Sequence, residues 1–280
     1  MPEHKFPTEV IDLPSSGKVY SKDSPLHEGR LELKYMTTRE EDILMSENLI
    51  KKGVVIDKLL DSLIVTKGVK QQDLILGDKN AVLVAARILA YGPEYSVEVT
   101  NPNDLEQKIQ HTFDLSKCPF KESVEGIDYT NNSFDYTTEV GKTKIKFKLL
   151  TGADEALIEK ELEQSKKYGY DSDISTRLRY TIIEVDGDSK PETITSFTQN
   201  MLARDSVALR NYIQGISPDI DLTSEIEIGG ETVSVSIPLT VEFFWPKTIW
   251  CFNSTSKHIL LCTRKSWFYI QGCVQHARSS

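Results

Sequence analysis

The order of the predicted secondary-structure elements occurs twice along the 280-residue chain, and this repetition constrains the fold more than any other feature of the sequence. Apolar and polar residues alternate in RLELKYM as in a strand, and the following TTREED has the threonine cap and acidic first turn of a helix start. Further helical segments follow, the last of which ends at Gly92, and two strands then form a predicted hairpin. From KIKFKLL onward the same order recurs, at an offset of about 114 to 127 residues. The sequence therefore predicts an α+β fold with two related halves, each of which consists of a strand, helices and a β-hairpin.

The predicted domain boundaries follow from this repetition and from the segments outside it. Prolines and glycines near the N-terminus disfavour helix there and favour an extended lead. A loop-like stretch rich in Asn, Thr and Asp separates the halves. We predict an extended N-terminal lead at 1–30, a first α+β half at 31–117, a linker at 118–140, a second α+β half at 141–242, and a C-terminal aromatic and basic tail at 243–280.

Charge is distributed unevenly between the body of the chain and the tail. Residues 1–242 hold all 42 acidic residues and 28 of the 33 basic ones, a net charge of −14, whereas 243–280 carry +5. So acidic a body argues against general nucleic-acid binding, which requires a basic surface. The tail holds all three tryptophans, and it is predicted either to pack on the protein's own surface or to dock onto another protein. The candidate partner-binding residues are Trp245, Trp250, Trp267 and Phe268.

Residue types that carry catalysis or bind metals are scattered along the sequence. The five histidines lie far apart, and none stands at ligand spacing from a carboxylate or a second histidine. Cys251, Cys262 and Cys273 recur every 11 residues, and chance explains this spacing better than a redox or metal stripe because close ligand pairs are lacking. Nucleophile-elbow, zinc-protease and phosphate-loop motifs are absent from the sequence. We therefore expect no catalytic residue, no metal site and no cofactor.

Two features of the sequence bear on where the protein is located in the cell. No stretch approaches the roughly 18 consecutive apolar residues of a membrane helix. The N-terminal MPEHKFPTEV lacks the basic and apolar regions of a signal peptide. We expect a protein that stays in the cytosol where it is made.

Charged residues cluster at the predicted helix starts and are candidates for shaping the body. Asp78 is predicted to cap the helix KNAVLVAARILAYG, and Asp205 or Ser206 to cap VALRNYIQGIS. The acidic run 40–42 is explained by a solvated first turn, where negative charge suits the helix dipole. Capping and ion pairing within the chain are favoured over contact with a partner for each of these residues. The candidates are Arg39, Asp42, Asp78, Lys79, Arg204 and Asp205.

Several segments together give the sequence a family resemblance. MTTREEDIL, GDKNA, ARDS and the ending IPLTVEFFWP resemble the baseplate hub assembly protein family of T-even-like contractile-tailed bacteriophages, over roughly residues 11–246. The resemblance implies a viral protein of tail morphogenesis that helps to build the central hub of the baseplate or forms part of it, without enzymatic activity. Related sequences often carry a CPxCG-type cysteine pair in the hairpin loops. The loops here read NPNDLEQ and IGGETV, so any zinc of the relatives is expected to be absent.

The resemblance also implies partners and a location. The expected partners are other phage baseplate hub or tail proteins, with no nucleic acid and no membrane. The expected location is the host cytoplasm during assembly, and the virion tail baseplate if the protein is retained. The alternatives are an assembly chaperone that is absent from the mature virion, an enzyme whose site the sequence does not reveal, and a binder of anionic surfaces through the basic tail.

Overall fold

Helices and small antiparallel sheets alternate along the chain, so the predicted α+β class is confirmed. The computed structural model describes residues 6–101, 104–167, 169, 172–228 and 231–244. The helices of this part are α1 (Thr38–Leu44), α2 (Glu47–Lys51), α3 (Val55–Leu63), α4 (Leu76–Tyr91), α5 (Gly152–Lys167), α6 (Asp173–Thr181), α7 (Pro191–Asn200) and α8 (Ala203–Ile216). Its strands are β1 (Thr8–Asp12), β2 (Arg30–Lys34), β3 (Glu94–Asn101), β4 (Asp104–Asp114), β5 (Phe120–Lys121), β6 (Phe134–Thr137), β7 (Lys144–Phe147), β8 (Ile182–Val185), β9 (Asp219–Ile220), β10 (Thr223–Ile228) and β11 (Glu231–Ser236).

The described residues separate into two compact units. Unit 1 contains those up to Ala86 together with Phe120–Ile220, and unit 2 contains Arg87–Pro119 together with those from Asp221 onward. Unit 1 therefore holds the other strands and the helices of both predicted halves, except for the end of α4 after Ala86, and unit 2 holds both hairpins, β3–β4 and β10–β11. The two units reflect which residues pack together in space, whereas the predicted boundaries reflect only the order of elements along the chain.

The sheets of unit 1 show one strand arrangement twice. In the first, β1 pairs antiparallel with β2, and Ile64, directly after α3, bridges Leu33 of β2. In the second, β6 pairs antiparallel with β7, and β8, directly after α6, pairs with the other edge of β7. In both cases a hairpin receives a third segment that follows a helix.

Aromatic and aliphatic residues of the second half form much of the core of unit 1. Phe147 of β7 is fully buried and stacks on Phe134 of β6, with ring centroids 5.2 Å apart. Tyr129 meets Phe134 edge-on at 5.4 Å, and Leu209 of α8 is fully buried in the same cluster. Burial of each such side chain contributes about 1.5–3 kcal/mol to folding.

The N-terminal lead contains more regular structure than an extended strap. Its first part is the strand β1, and Leu13, Val19 and Leu26 are buried. The turn at Gly17 has a φ of +77°, and a Cβ there would lie 2.1 Å from the carbonyl oxygen of His27. Only glycine fits this turn, because the conformation is left-handed and the backbone of the lead approaches itself closely.

The predicted linker at 118–140 also contains strands. β5 pairs with β9, and β6 pairs with β7. Strands of two and four residues are too short to show the alternation that marks a strand in sequence, so this stretch resembled a loop.

Both hairpins of unit 2 lie near their predicted positions, although β4 begins inside the predicted loop at 101–107, and each hairpin has one apolar face. In β3–β4, Tyr95 pairs with the buried Phe113. In β10–β11, the buried Ile226 pairs with Val233. Phe243 is fully buried in this unit, with its ring centroid 5.0 Å from that of Tyr95.

Candidate interaction site

The start of α1 is organised around the carboxylate of Glu40. It accepts hydrogen bonds from the backbone N–H of Thr37 at 3.0 Å, the Thr37 hydroxyl at 2.6 Å and the Ser62 hydroxyl at 2.7 Å. Lys34 Nζ forms an ion pair with it at 2.8 Å. Burial by itself raises the pKa of Glu40, but the hydrogen bonds from these three residues outweigh burial and lower the pKa from its ordinary 4.5 to about 2. Glu40 is therefore a buried, ionised anchor between β2, α1 and α3.

The expectation of a solvated acidic turn is thus wrong for Glu40, which is fully buried. The predicted residues beside it, Arg39 and Asp42, are exposed. The acidic run looked uniform in sequence, but the helix turns only one of its three carboxylates inward, towards Lys34.

The start of α5 repeats this arrangement with a shorter acid. The Asp154 carboxylate accepts hydrogen bonds from the backbone N–H of Thr151 at 3.0 Å and from its hydroxyl at 2.9 Å. Lys148 Nζ lies 2.7 Å from the same carboxylate. In both halves the lysine precedes the acid by six residues and the threonine precedes it by three. The side chains of Lys148 and Asp154 are more exposed than those of Lys34 and Glu40.

The next cluster, which we call the α4 node, consists of Asp78, Ser15 and Tyr20. The Asp78 carboxylate is fully buried and accepts hydrogen bonds from the backbone N–H of Ser15 at 3.0 Å, the Ser15 hydroxyl at 2.6 Å and the Tyr20 hydroxyl at 2.6 Å. The Tyr20 hydroxyl in turn accepts from the backbone N–H of Ile75 at 3.1 Å. Asp78 is therefore not the cap of α4, which begins two residues earlier at Leu76. It ties the third residue of the helix to the N-terminal lead.

Electrostatics of the α4 node reflect its burial. Burial raises the pKa of Asp78, and the hydroxyl and N–H donors oppose this only in part, while the nearby Asp219 adds to it. Burial also raises the pKa of Tyr20, as does the adjacent Asp78 carboxylate, so the phenol stays protonated and keeps donating to Asp78.

Lys79, the other predicted residue at this helix start, forms an ion pair within the chain. Its Nζ lies 2.7 Å from Oδ1 of Asp57, and both side chains are mostly shielded from solvent. Because Asp57 belongs to α3, the pair joins the two helices.

The corresponding cluster at α8, the α8 node, consists of Asp205, Val140 and Gly141. Asp205 is the third residue of α8, which begins at Ala203, so neither Asp205 nor Ser206 is the cap. Its carboxylate accepts hydrogen bonds from the backbone N–H groups of Val140 at 2.8 Å and Gly141 at 2.9 Å. These bonds, that to Val140 first, lower the pKa of Asp205. Asp205 thereby holds the turn between β6 and β7, as Asp78 holds the turn after β1.

Arg204, the remaining predicted residue of this helix start, is exposed on the first turn of α8. The corresponding position of α4 is Gly77, which precedes Asp78.

In unit 2, Arg87 is a buried charged residue that the sequence analysis did not single out. It is buried, and its guanidinium donates to the carbonyl oxygens of Phe243 at 3.1 Å and Gly92 at 3.3 Å. It also lies over the ring of Tyr91, 4.8 Å from the centroid. Burial lowers the pKa of Arg87. The available signal was a single charge inside the apolar helical run AVLVAARILAY.

The predicted partner-binding residues Trp245, Trp250, Trp267 and Phe268 lie outside the described residues. Within the part of the chain that the structure describes, no group of three or more His, Cys, Asp or Glu side chains is placed to hold a metal ion. No helix in that part is long and apolar enough to cross a membrane. The buried carboxylates of Glu40, Asp78 and Asp205 are instead engaged by hydrogen-bond donors of the chain itself.

Comparison with known proteins identifies the family. No curated protein and no solved structure gives a significant match to the chain. The sequence model of the family described as T4 bacteriophage base plate protein matches residues 6–245. The match covers most of the chain and agrees with the resemblance carried by MTTREEDIL, GDKNA and ARDS. The chain therefore belongs to the T4 bacteriophage base plate protein family.

Proposed function

We propose that this chain is a non-enzymatic protein of the central hub of the phage baseplate, which acts through contacts with other hub or tail proteins. The observation that carries the proposal is the family match over 6–245, which extends through both compact units. The engagement of the buried carboxylates within the chain supports a structural role, since a catalytic carboxylate must be able to reach a substrate. On this proposal the protein works in the host cytoplasm during assembly, without nucleic acid, membrane or cofactor.

We also propose that the two halves descend from one duplicated unit. The matched Lys–Thr–acid clusters, the two nodes with an aspartate at the third helical residue, and the repeated strand arrangement support this origin. Duplication gives one chain two related surfaces, which suits a protein that joins several partners.

Affinity purification from phage-infected cells tests the proposed function. The tagged full-length chain is recovered and its partners are identified by mass spectrometry, in parallel with a protein inventory of purified mature virions. We expect hub or tail proteins in the eluate and the chain in the virion. Recovery of hub proteins without the chain in virions would instead identify an assembly chaperone, and recovery of no tail protein would overturn the proposal.

The C-terminal tail is the predicted partner-binding segment. We expect the full-length quadruple variant with alanine at Trp245, Trp250, Trp267 and Phe268 to recover less of the partner, because large aromatic side chains dominate interface energetics. The same purification measures the loss against the unmodified chain. If a variant that folds normally recovers as much partner as the unmodified chain, the tail is not part of the interface.

A further inference from the structure

The first strand of unit 1, β1, lies at the open edge of its sheet. It pairs with β2 on one side, and no described residue pairs with its other side. At five residues it is longer than β6 and β8, the outer strands of the three-stranded sheet of this unit, which have four each. Such an edge presents unpaired backbone N–H and C=O groups to which another strand can form hydrogen bonds.

The pairing of β1 with β2 fixes which of its backbone groups point outward. The carbonyl oxygen of Pro7 accepts a hydrogen bond from the N–H of Tyr35, directly after β2, so the odd-numbered residues of this segment face β2. Direction alternates along an antiparallel strand, and the even-numbered residues therefore face away from β2. The residues that direct their N–H and C=O groups to the open edge are Thr8, Val10 and Asp12.

The open edge lacks the features that commonly protect an edge strand from pairing. All residues of β1 except Ile11 are exposed, and Val10 at its centre is 60% exposed. Between Thr8 and Asp12 there is no lysine and no proline, and the register with β2 runs without a bulge. The backbone and the central side chain of β1 are therefore both accessible to a second strand.

The residues of β1 are complementary to those of a second, antiparallel β1. If Val10 lies opposite Val10 of the second copy, Thr8 lies opposite Asp12. All three outward-facing residues then form backbone hydrogen bonds, and the Thr8 hydroxyl can donate to the Asp12 carboxylate. In the same register Glu9 lies opposite Ile11, so no two like charges face each other directly.

The neighbouring two-fold registers are less favourable. A two-fold axis at Glu9 places two glutamates directly opposite each other, which is destabilising. An axis at Ile11 places Thr8 opposite Pro14, which has no N–H to donate. The sequence of β1 therefore favours the register that is centred on Val10.

We propose that two copies of the chain pair through β1 in this register and form a continuous sheet of order β2–β1–β1–β2, with a two-fold axis at Val10. A second copy is the occupant because one segment supplies both sides of the pairing, as a two-fold interface requires. The same pairing satisfies the open edges of both copies at once. This inference goes beyond the proposed function, since it concerns association of the chain with itself and not with other baseplate proteins.

The charges of β1 and β2 do not select a different occupant. The acidic residues of the two strands are Glu9, Asp12 and Glu32, and the basic ones are Arg30 and Lys34. Arg30 and Asp12 form an ion pair with each other. The edge therefore lacks the strong negative charge that would favour the basic segment 245–280 over a second copy.

The test measures self-association of the purified full-length chain by sedimentation velocity over a concentration series. We expect the unmodified chain to form a dimer. Val10→Lys and Val10→Glu should each raise the dissociation constant about tenfold or more, because two like charges then meet at the axis. An equimolar mixture of the two variants should regain dimerisation, since a lysine then faces a glutamate.

Val124→Lys is the matched control. Val124 is also an exposed valine, at 43%, but it lies in the loop after β5. We expect this variant to dimerise as the unmodified chain does. Far-UV circular dichroism and the melting temperature verify that all variants fold.

Three results would overturn the inference. The first is a chain that stays monomeric at every concentration. The second is an equal dissociation constant for Val10→Lys and Val124→Lys, which would place the dimer interface elsewhere, for example in 245–280. The third is a mixture that associates no better than the separate variants, because position 10 would then not face its own copy. The measurement contains no baseplate partner, so none of these results decides the proposed function.

Discussion

The α4 node and the α8 node perform the same task in different environments. In each, the aspartate at the third position of a helix binds a turn that lies more than 60 residues upstream. Asp78 is enclosed by the lead and receives two hydroxyl donors, and burial raises its pKa. Asp205 receives backbone N–H groups beside exposed aliphatic residues, and its pKa is lowered. The two pKa values thus shift in opposite directions although both aspartates stand third in their helices, because burial dominates at Asp78 and backbone hydrogen bonds dominate at Asp205.

The acid clusters at α1 and α5 differ in the same direction. Glu40 is fully buried and bonded to Ser62 as well as to its own threonine and lysine. Among the described residues, the Asp154 carboxylate is bonded only to Thr151 and Lys148. The side chain of Lys148 is partly exposed to solvent. The cluster at α1 is thus the more deeply buried of the two.

Asp78→Ala is the substitution with the largest expected effect. It leaves the Ser15 N–H, the Ser15 hydroxyl and the Tyr20 hydroxyl without their acceptor in a buried site, at a cost of about 4 kcal/mol in the free energy of unfolding. Urea unfolding followed by circular dichroism measures the loss. Asp205→Ala is the matched control and is expected to cost less, because water can reach the turn at Val140. Equal losses would contradict the role assigned to burial.

Glu40→Gln is expected to lower the free energy of unfolding at pH 7 by about 2 kcal/mol, since charge-assisted hydrogen bonds are lost. The pKa of Glu40 is lowered in the folded protein, so its contribution is fully present above about pH 4.5 and is lost as the pH falls towards 2. Unfolding measured from pH 7 to pH 2.5 should show the variant and the unmodified protein converging. A difference that stays constant with pH would exclude the ionised carboxylate as its source.

Asp154→Asn is the equivalent substitution in the second half and should cost only about 1 kcal/mol, because the partly exposed Lys148 loses little from an ion pair that solvent screens. Measurement alongside Glu40→Gln under the same conditions gives the ratio of the two effects. If the second-half variant were the less stable one, depth of burial would not explain the difference between the clusters.

The smallest expected effects concern the pH dependence of the free energy of unfolding, to which the two nodes should contribute with opposite sign. The raised pKa of Asp78 gives a contribution that is present below its ordinary 3.8 and is lost as the pH rises through the folded value. The lowered pKa of Asp205 gives one that is present above 3.8 and is lost as the pH falls. Relative to the unmodified protein, Asp78→Asn should therefore gain stability as the pH rises, and Asp205→Asn should lose it. Parallel slopes in unfolding titrations would show that the two environments do not differ as described.

Much of the local structure could be predicted because it depends on neighbours in sequence. The alternation in RLELKYM corresponds to β2, and the threonine and acids of TTREED correspond to the start of α1. The hairpin β3–β4 and the helix α5 also lie close to their predicted positions. The helix starts at Leu76 and Ala203 were placed too late, because an aspartate before an apolar run has the same local pattern as a cap.

The sequence by itself determined the α+β class and the family, since periodicity and motif spacing are properties of short segments. Only the tertiary structure decided which charged residues are buried. Glu40 and Asp42 stand two residues apart in one turn, yet only Glu40 meets Lys34 and Ser62. Asp78 reaches a serine 63 residues away. Such contacts depend on how distant segments pack, and packing over that separation leaves no local pattern in the sequence.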